Sequence, residues 1–493
     1  MTSVEAPHRA KADRPAEAPV SAAAQPLYAA RQKVYPKRVF GKVRSVKWAM
    51  LIACLALYYI VPWLRWDRGP GTPDQAVLVD MANARLFFFW IELWPQEIYF
   101  LAGALILGAF ALFAVSSLFG RLWCGFTCPQ TVWTDLFLWV ERRIEGDRNA
   151  RMRLDNARWS FNKIWRKAGT HATWLLIGLA TGGALVFYFR DAPTLAHELL
   201  TGDAPTVAYV FLGVFTVSTY LLGGIAREQV CIYMCPWPRI QGAMFDADSL
   251  LVSYRDWRGE PRGPHKKGQS WEGRGDCVDC TACVTVCPMG IDIRDGAQLE
   301  CIQCALCIDA CDEIMDRVGR PRGLIAYDTF KNLEAPTHDK RVPIRLIRPR
   351  TLVYTALIAL VSGVMVFAWS NRGDMDVNIL HDRNPMFVQL SDGSLRNGYV
   401  IKIMNKEHDT RRLHLELSGL DGAQLQIVGL SGDRPTIEVV PDNLRALKVF
   451  VTVPAALRAK LSGSATPFRF AVVDPADGET LYHDATFRGP ANE

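Results

Sequence analysis

The sequence predicts a multi-domain membrane protein: a five-helix transmembrane bundle, a bacterial two-cluster ferredoxin-like insert and a C-terminal all-β immunoglobulin-like sandwich. Three observations carry that expectation. Long apolar runs recur through a chain of 493 residues whose hydrophobic fraction is 50%, high for a purely soluble protein. Eight of its 13 cysteines fall between Cys277 and Cys311, a crowding that signals metal rather than disulfides. Short alternating apolar segments separated by turn residues fill the last quarter of the chain.

Residues 1–46 are rich in Ala, Pro, Lys and Arg without apolar periodicity, so they read as a disordered cytoplasmic tail. The first apolar run, Trp48 to Leu64, lacks a small-residue cleavage pattern after it and reads as an uncleaved transmembrane helix. Four further runs, Ile98 to Phe119, Ala172 to Phe189, Thr206 to Ile225 and Thr351 to Trp369, are long enough to span a bilayer core of about 30 Å. Five spans place the termini on opposite sides.

Charge fixes the direction. Lys37, Arg38, Lys42, Arg44 and Lys47 flank the first run, and Arg121, Arg142, Arg143, Arg148, Arg151, Arg153, Arg158, Lys163, Arg166 and Lys167 crowd the loop after the second, whereas Arg190 stands alone after the third. Basic residues gather on the cytoplasmic side. The net charge of +6 is small for this length and distributed beside membrane runs, so no nucleic-acid partner is expected. The resulting layout is a tail (1–46), four spans (47–226), a cytoplasmic cysteine-rich domain (227–350), a fifth span (351–370) and an outer domain (371–493), in the inner membrane of a two-membrane bacterium. In that outer domain Met386 to Leu390, Tyr399 to Ile403 and Leu413 to Leu417 alternate apolar and polar residues, as strands of a sandwich do.

The strongest motif is Cys277-x2-Cys280-x2-Cys283-x3-Cys287-Pro288, repeated at the same spacings as Cys301-x2-Cys304-x2-Cys307-x3-Cys311. This is the pattern of two-cluster ferredoxins, in which the fourth cysteine of each run crosses to the other 4Fe-4S cluster. It assigns Cys277, Cys280, Cys283 and Cys311 to one cluster, and Cys287, Cys301, Cys304 and Cys307 to the other. A pair of four-cysteine zinc sites is the bland alternative, disfavoured by two matching arrays. Asp312 stands where proline usually follows the last ligand, which alters the local turn. Free thiolates place this insert in a reducing compartment, the cytosol.

Two further pairs end apolar runs: Arg121-Leu-Trp-Cys124-Gly-Phe-Thr-Cys128-Pro129 and Arg227-Glu-Gln-Val-Cys231-Ile-Tyr-Met-Cys235-Pro236. They suggest parallel repeats of two spans each; if the segments are helical, the spacing puts both sulfurs of a pair on one face. Four such thiols could bind Cu(I), ligate a further cluster or cycle between dithiol and disulfide, and Arg121 and Arg227 are expected to favour thiolates. The bland reading is small apolar residues at helix ends stopped by proline; the repetition of CxxxCP counts against it. Cys54 alone in the first span reads as packing. Glu92 and Glu97, beside Trp90, Trp94 and Tyr99, read as interfacial anchors ahead of a proton shuttle or a metal contact. His381, Met386, Met404 and His408 are weak copper-ligand candidates and read as surface or core residues.

These motifs resemble the CcoG/FixG/RdxA proteins, cytochrome c oxidase accessory proteins of bacteria. The resemblance covers the five expected spans, both CxxxCP motifs, the doubled array and the stretch from Arg383-Asn384-Pro385 to Arg396-Asn397-Gly398-Tyr399. It implies two 4Fe-4S clusters on the eight insert cysteines, cupric reductase activity supplying Cu(I) for assembly of cbb3-type oxidase, and copper handling by Cys124, Cys128, Cys231 and Cys235. The partners expected with it are an electron donor, oxidase subunits or copper chaperones and the lipid bilayer, with a homodimer left open. Two other readings stand beside it: a quinol-linked membrane ferredoxin, and a redox-sensing assembly scaffold.

Overall fold

The computed structural model describes residues 33–490 except 70–71, 267, 336–344, 374, 408, 433, 442, 462–463, 477 and 479. Helix α1 (Lys42–Ile60) precedes a small antiparallel sheet of β1 (Val77–Asp80), β2 (Arg85–Phe88) and β3 (Ile91–Leu93). Then come α2 (Ile98–Phe119), the short α3 (Leu122–Phe126), α4 (Pro129–Ile144), α5 (Arg148–Asn156), α6 (Phe161–Val186), α7 (Ala192–Thr201) and α8 (Thr206–Thr219), followed by a π-helical stretch, Tyr220–Ala226. The remaining helices are α9 (Trp237–Gly242), α10 (Asp256–Gly259), α11 (Ala282–Val286), α12 (Leu306–Val318), α13 (Phe330–Leu333) and α14 (Pro349–Ser370).

Four helical stretches among the described residues are long and apolar enough to cross a membrane: Lys42–Trp63, Pro95–Phe119, Thr206–Ala226 and Pro349–Ser370. The expected span Ala172 to Phe189 is not one of them, which corrects the five expected spans to four candidates among the described residues. Its residues up to Val186 lie in α6, whose first half carries Lys163, Arg166, Lys167 and His171. The apolar remainder extends about 22 Å at 1.5 Å per residue, short of a core of about 30 Å. Counting spans therefore no longer separates the two termini.

The chain forms two compact units. The first holds the described residues of Met1–Leu51 together with Phe119–Leu175 and Tyr220–Pro343. Here strand β4 (Leu250–Tyr254) pairs antiparallel with β5 (Ile325–Thr329), Leu250 opposite Thr329, and closes the cysteine-rich segment between them. Residues 1–32 of the expected tail lie outside the described residues, but the tail does not extend to 46. Val39 is buried and α1 already begins at Lys42. Partners far along the chain order this segment: the Asp309 carboxylate accepts the N–H groups of Val43 (3.2 Å) and Arg44 (2.7 Å), capping the helix. Arg44 and Lys47 pair with buried Asp135 at 2.7 and 3.5 Å. Several basic residues that read as topology signals are thus buried ion-pair partners as well.

The second unit holds Ile52–Leu118, Leu176–Thr219 and Ile344–Glu493. Its C-terminal part is a sandwich of two antiparallel sheets. One orders β10 (Gln424–Ile427), β12 (Asn443–Val453), β8 (Leu395–Asn405) and β6 (Met375–His381), with β7 (Val388–Gln389) also on β8. The other orders β11 (Ile437–Val439), β9 (Arg411–Ser418), β13 (Ala465–Val473) and β14 (Thr480–Arg488). Alternate residues of both sheets, including Ile401, Ile403, Val449, Leu413 and Phe470, make one core, as period-two strands require. The expected first strand shrinks to two residues. Glu97 accepts from Arg372 at 2.8 Å and Lys406 at 2.9 Å, and Glu92 pairs with Arg85 at 3.2 Å. Both carboxylates are engaged by cations.

Candidate metal centres

The two cysteine arrays share a backbone as well as a spacing. Asp279 and Thr281 in the first, and Gln303 and Ala305 in the second, sit at corresponding positions and have φ of +53°, +54°, +54° and +58°. Non-glycine residues in this left-handed region persist only where the surroundings hold them. Alternating such residues with cysteines curls each loop so that successive sulfurs turn toward one centre. Each loop then runs into a helix, α11 or α12. Pro288 ends the first at Cys287, whereas α12 continues through Cys311 and Asp312 to Val318, because no proline stops it. The Asp312 carboxylate is used locally, accepting from the Gly323 N–H at 2.8 Å.

Two cavities result. One is lined by Cys277, Cys280, Cys283 and Cys311 with Tyr254, Thr281, Arg294 and apolar side chains. The other is lined by Cys287, Cys301, Cys304 and Cys307 with Cys283, Val252, Met289 and Ile302 among its neighbours. Neither lining contains a carboxylate or imidazole. A soft, four-thiol donor set in an apolar shell fits a 4Fe-4S cluster in each cavity. Burial pushes Cys287 up to about 12, with Cys304 adding to it. Burial and then Cys283, Cys277 and Cys280 push Cys311 up to about 12. Thiols in such surroundings become ligands when a metal's charge replaces the proton.

The CxxxCP motifs come together in the same unit. Cys124 and Cys231 pack against one apolar cluster that also includes Cys287, Cys304 and Cys307, so the membrane-face thiols abut the second cavity. Gly125 permits this contact. A Cβ there would lie 2.8 Å from the Gln303 carbonyl oxygen and 2.9 Å from that of Ile302. Cys124 Sγ donates to Gln241 Oε1 at 3.2 Å. Burial pushes Cys124 up to about 12, followed by the charge of Cys128, with Cys231 and Cys235 also contributing and Arg121 opposing. Burial likewise pushes Cys231 up to about 12, reinforced by Cys128 and Cys235. Cys128 is raised by burial and eased by the Gln130 and Thr131 N–H groups at the start of α4. Cys235 is exposed, beside exposed Tyr233 and Met234.

One expectation is corrected here and another is borne out in part. The i,i+4 spacing does not build two equivalent helix faces: Cys124 lies in α3 and Cys128 outside the helical region before α4, while Cys231 lies in a π-helical turn, Val230–Met234, and Cys235 is extended beyond it. Pro129 and Pro236 are the reason, since proline drives the preceding residue out of the α region. Arg121 does favour the Cys124 thiolate, but burial outweighs it, and Arg227 is engaged elsewhere. Its guanidinium forms an ion pair with buried Glu141, which Arg151 shares, and donates to the Gly224 carbonyl at 2.6 Å.

Sequence reasoning missed α4, with its buried Asp135 and Glu141, along with the contacts of Gln241 and Gln303. Pro129 at the first turn was the available signal of a helix start. Cys54 is half-buried in α1. His381 and Met386 line a cavity with Asp382 and Asp484, Met404 is buried, and His408 lies outside the described residues.

Membrane-crossing helices, a two-cavity thiol domain and thiols abutting it define an iron-sulfur electron-transfer protein of the membrane. Family models agree: a 4Fe-4S dicluster domain matches residues 226–330, a 4Fe-4S binding domain matches residues 101–146, and the IG-like fold at the C-terminus of FixG matches residues 365–490. The chain is 50% identical to the nitrogen fixation protein FixG of Rhizobium meliloti, over 94% of both chains. It is 51% identical to protein RdxB of Cereibacter sphaeroides, over 94% of this chain and 98% of the relative, and 47% identical to RdxA of the same organism, over 94% and 99%. The chain belongs to the FixG/RdxA family.

Proposed function

We propose that the protein reduces Cu(II) to Cu(I) at Cys124, Cys128, Cys231 and Cys235 and that the product serves assembly of a cbb3-type oxidase. The observation that supports this reading is that Cys124 and Cys231 border the same apolar cluster as Cys287, Cys304 and Cys307. Cys277, Cys280, Cys283 and Cys311 would hold one 4Fe-4S cluster, and Cys287, Cys301, Cys304 and Cys307 the other; when bound, each supplies one-electron carriage. Cu(II) takes up one electron to become Cu(I). Thiols favour the reduced ion, so a site made of them stabilises product over substrate. Exposed Cys235 offers the entry and release point, and half-buried Cys124 and Cys231 the inner ligands. An electron donor and copper chaperones or oxidase subunits complete the scheme.

The cysteine arrays are placed in the cytosol, where thiols stay reduced. Arg345, Arg348 and Arg350 at the start of the last span support residues 371–493 in the periplasm. A second reading is favoured by the 4Fe-4S binding model over residues 101–146: the four membrane-face thiols hold a further cluster. Anaerobic Cu(II) reduction by the cluster-loaded full chain separates the two. Loss of turnover in Cys124→Ala/Cys231→Ala with iron content and the 4Fe-4S EPR signals unchanged supports copper at the thiols. A loss of iron in the same variant supports the further cluster, and unchanged turnover rejects both.

A further inference from the structure

Arg121 and Arg227 precede the two CxxxCP motifs, yet their charges are treated differently. Arg227 is paired with Glu141, a carboxylate that it shares with Arg151. Arg121 is 3% exposed, and among the described residues its hydrogen-bond acceptors are uncharged. Its guanidinium donates to the carbonyl oxygens of Leu299, of Cys301 at 2.8 Å and of Pro238 at 2.9 Å, and its backbone N–H to Gln303 Oε1 at 2.9 Å. The Nε makes no hydrogen bond among the described residues. A buried cation that is hydrogen-bonded to no carboxylate is costly unless negative charge faces it. The groups near Arg121 are Cys301, which lines the second cavity, Cys124 of the CxxxCP set, and Glu300. The cation that lines the first cavity, Arg294, is by contrast paired with Asp279 at 2.5 Å and Asp292 at 2.6 Å.

We propose that Arg121 is a positioning residue whose charge raises the reduction potential of the cluster held by Cys287, Cys301, Cys304 and Cys307 above that of the cluster held by Cys277, Cys280, Cys283 and Cys311. The proposal rests on the reading that each thiol cavity holds a 4Fe-4S cluster. One-electron reduction adds one negative charge to a cluster, and a fixed cation beside it stabilises the reduced form. An electron entering from a low-potential donor then settles next to Cys124, on the side where the membrane-face thiols lie. Arg121 also fastens α3 to the loop that carries Cys301, so one side chain sets both the approach of the two sites and the direction of flow between them.

The test is an EPR-monitored redox titration of the full chain in detergent, with dithionite as reductant and Cys304→Ser identifying which signal belongs to the second cavity. Arg121→Gln is expected to lower the potential of that signal alone, and Arg121→Lys to lower it less. Gly242 supplies a variant that leaves Arg121 intact. A Cβ at Gly242 would lie 3.9 Å from Arg121 Nη2 and 3.5 Å from Leu299, so Gly242→Asp sets a carboxylate against the guanidinium and Gly242→Asn is its neutral control. Gly242→Asp should reproduce the Arg121→Gln shift, and Gly242→Asn should not; this pair decides the matter if Arg121→Gln fails to load iron. Equal shifts of both signals, or no shift in either variant, overturn the proposal. Failure of Cu(II) reduction with the potential split preserved would reject copper chemistry and leave the role of Arg121 standing.

Discussion

The cysteine arrays and the CxxxCP motifs are both repeats in sequence, but only the arrays repeat in space. In the arrays, Asp279 and Thr281 match Gln303 and Ala305 in backbone, because each loop is shaped by its own cysteines and by the centre they enclose. In the CxxxCP motifs, one copy enters an ordinary helix and the other a π-helical turn, and one arginine is paired with a carboxylate while the other donates to backbone carbonyls. A repeat survives folding where its constraints are internal. It diverges where its neighbours supply them.

The largest effect that could break this comparison is loss of a centre. Cys287→Ser and Cys304→Ser should each remove the same cluster, leaving about four of about eight irons per chain, and Cys311→Ser should remove the other one. Iron analysis with EPR checks this; a Cys287→Ser protein that loses the signal lost in Cys277→Ser would show the fourth ligands to be uncrossed.

Next in size is Glu141→Gln, which strands two buried guanidiniums and should cost about 3–5 kcal/mol, read as a lower unfolding temperature in detergent. Burial alone would raise the Glu141 carboxyl, but Arg227 and Arg151 outweigh it and hold it below the usual range. Its contribution is therefore present above the unfolded carboxylate value of about 4.3 and lost as pH falls through the folded value. Acid unfolding that is as steep in Glu141→Gln as in the parent would contradict that assignment.

Gly125→Ala sharpens the comparison from the other side. The added methyl group meets two backbone carbonyls of the second array, an overpacking expected to cost about 1–3 kcal/mol. Cu(II) reduction should slow while iron content stays at the parent level; an unchanged rate would show that the close approach is not needed. The smallest effect is expected from Thr131→Val, which removes the 2.6 Å hydrogen bond from Thr131 Oγ1 to the Cys124 carbonyl, worth about 1 kcal/mol in thermal unfolding.

Local order was legible in the residues. Ligand spacing in the arrays, apolar runs of spanning length and period-two strands in the outer domain are all written within a few turns of chain, and short-range geometry fixes them. What α6 does was not legible in this way: a window centred on Ala172 to Phe189 looks sufficient until the helix is seen to begin at Phe161 with charged residues. The tail boundary moved for a different reason, since Asp309 and Asp135 lie far along the chain from the residues they order. The sequence by itself determined which sulfurs could gather into two centres, because backbone spacing limits where neighbouring ligands can point. Only the tertiary structure decided that Cys124 and Cys231 border the same apolar cluster as ligands of the second of them, that Glu141 pairs with Arg227 and Arg151, and that Arg121 donates to the carbonyls of Leu299, Cys301 and Pro238. Those outcomes depend on burial and on partners brought from distant segments, and neither quantity exists until the chain has folded.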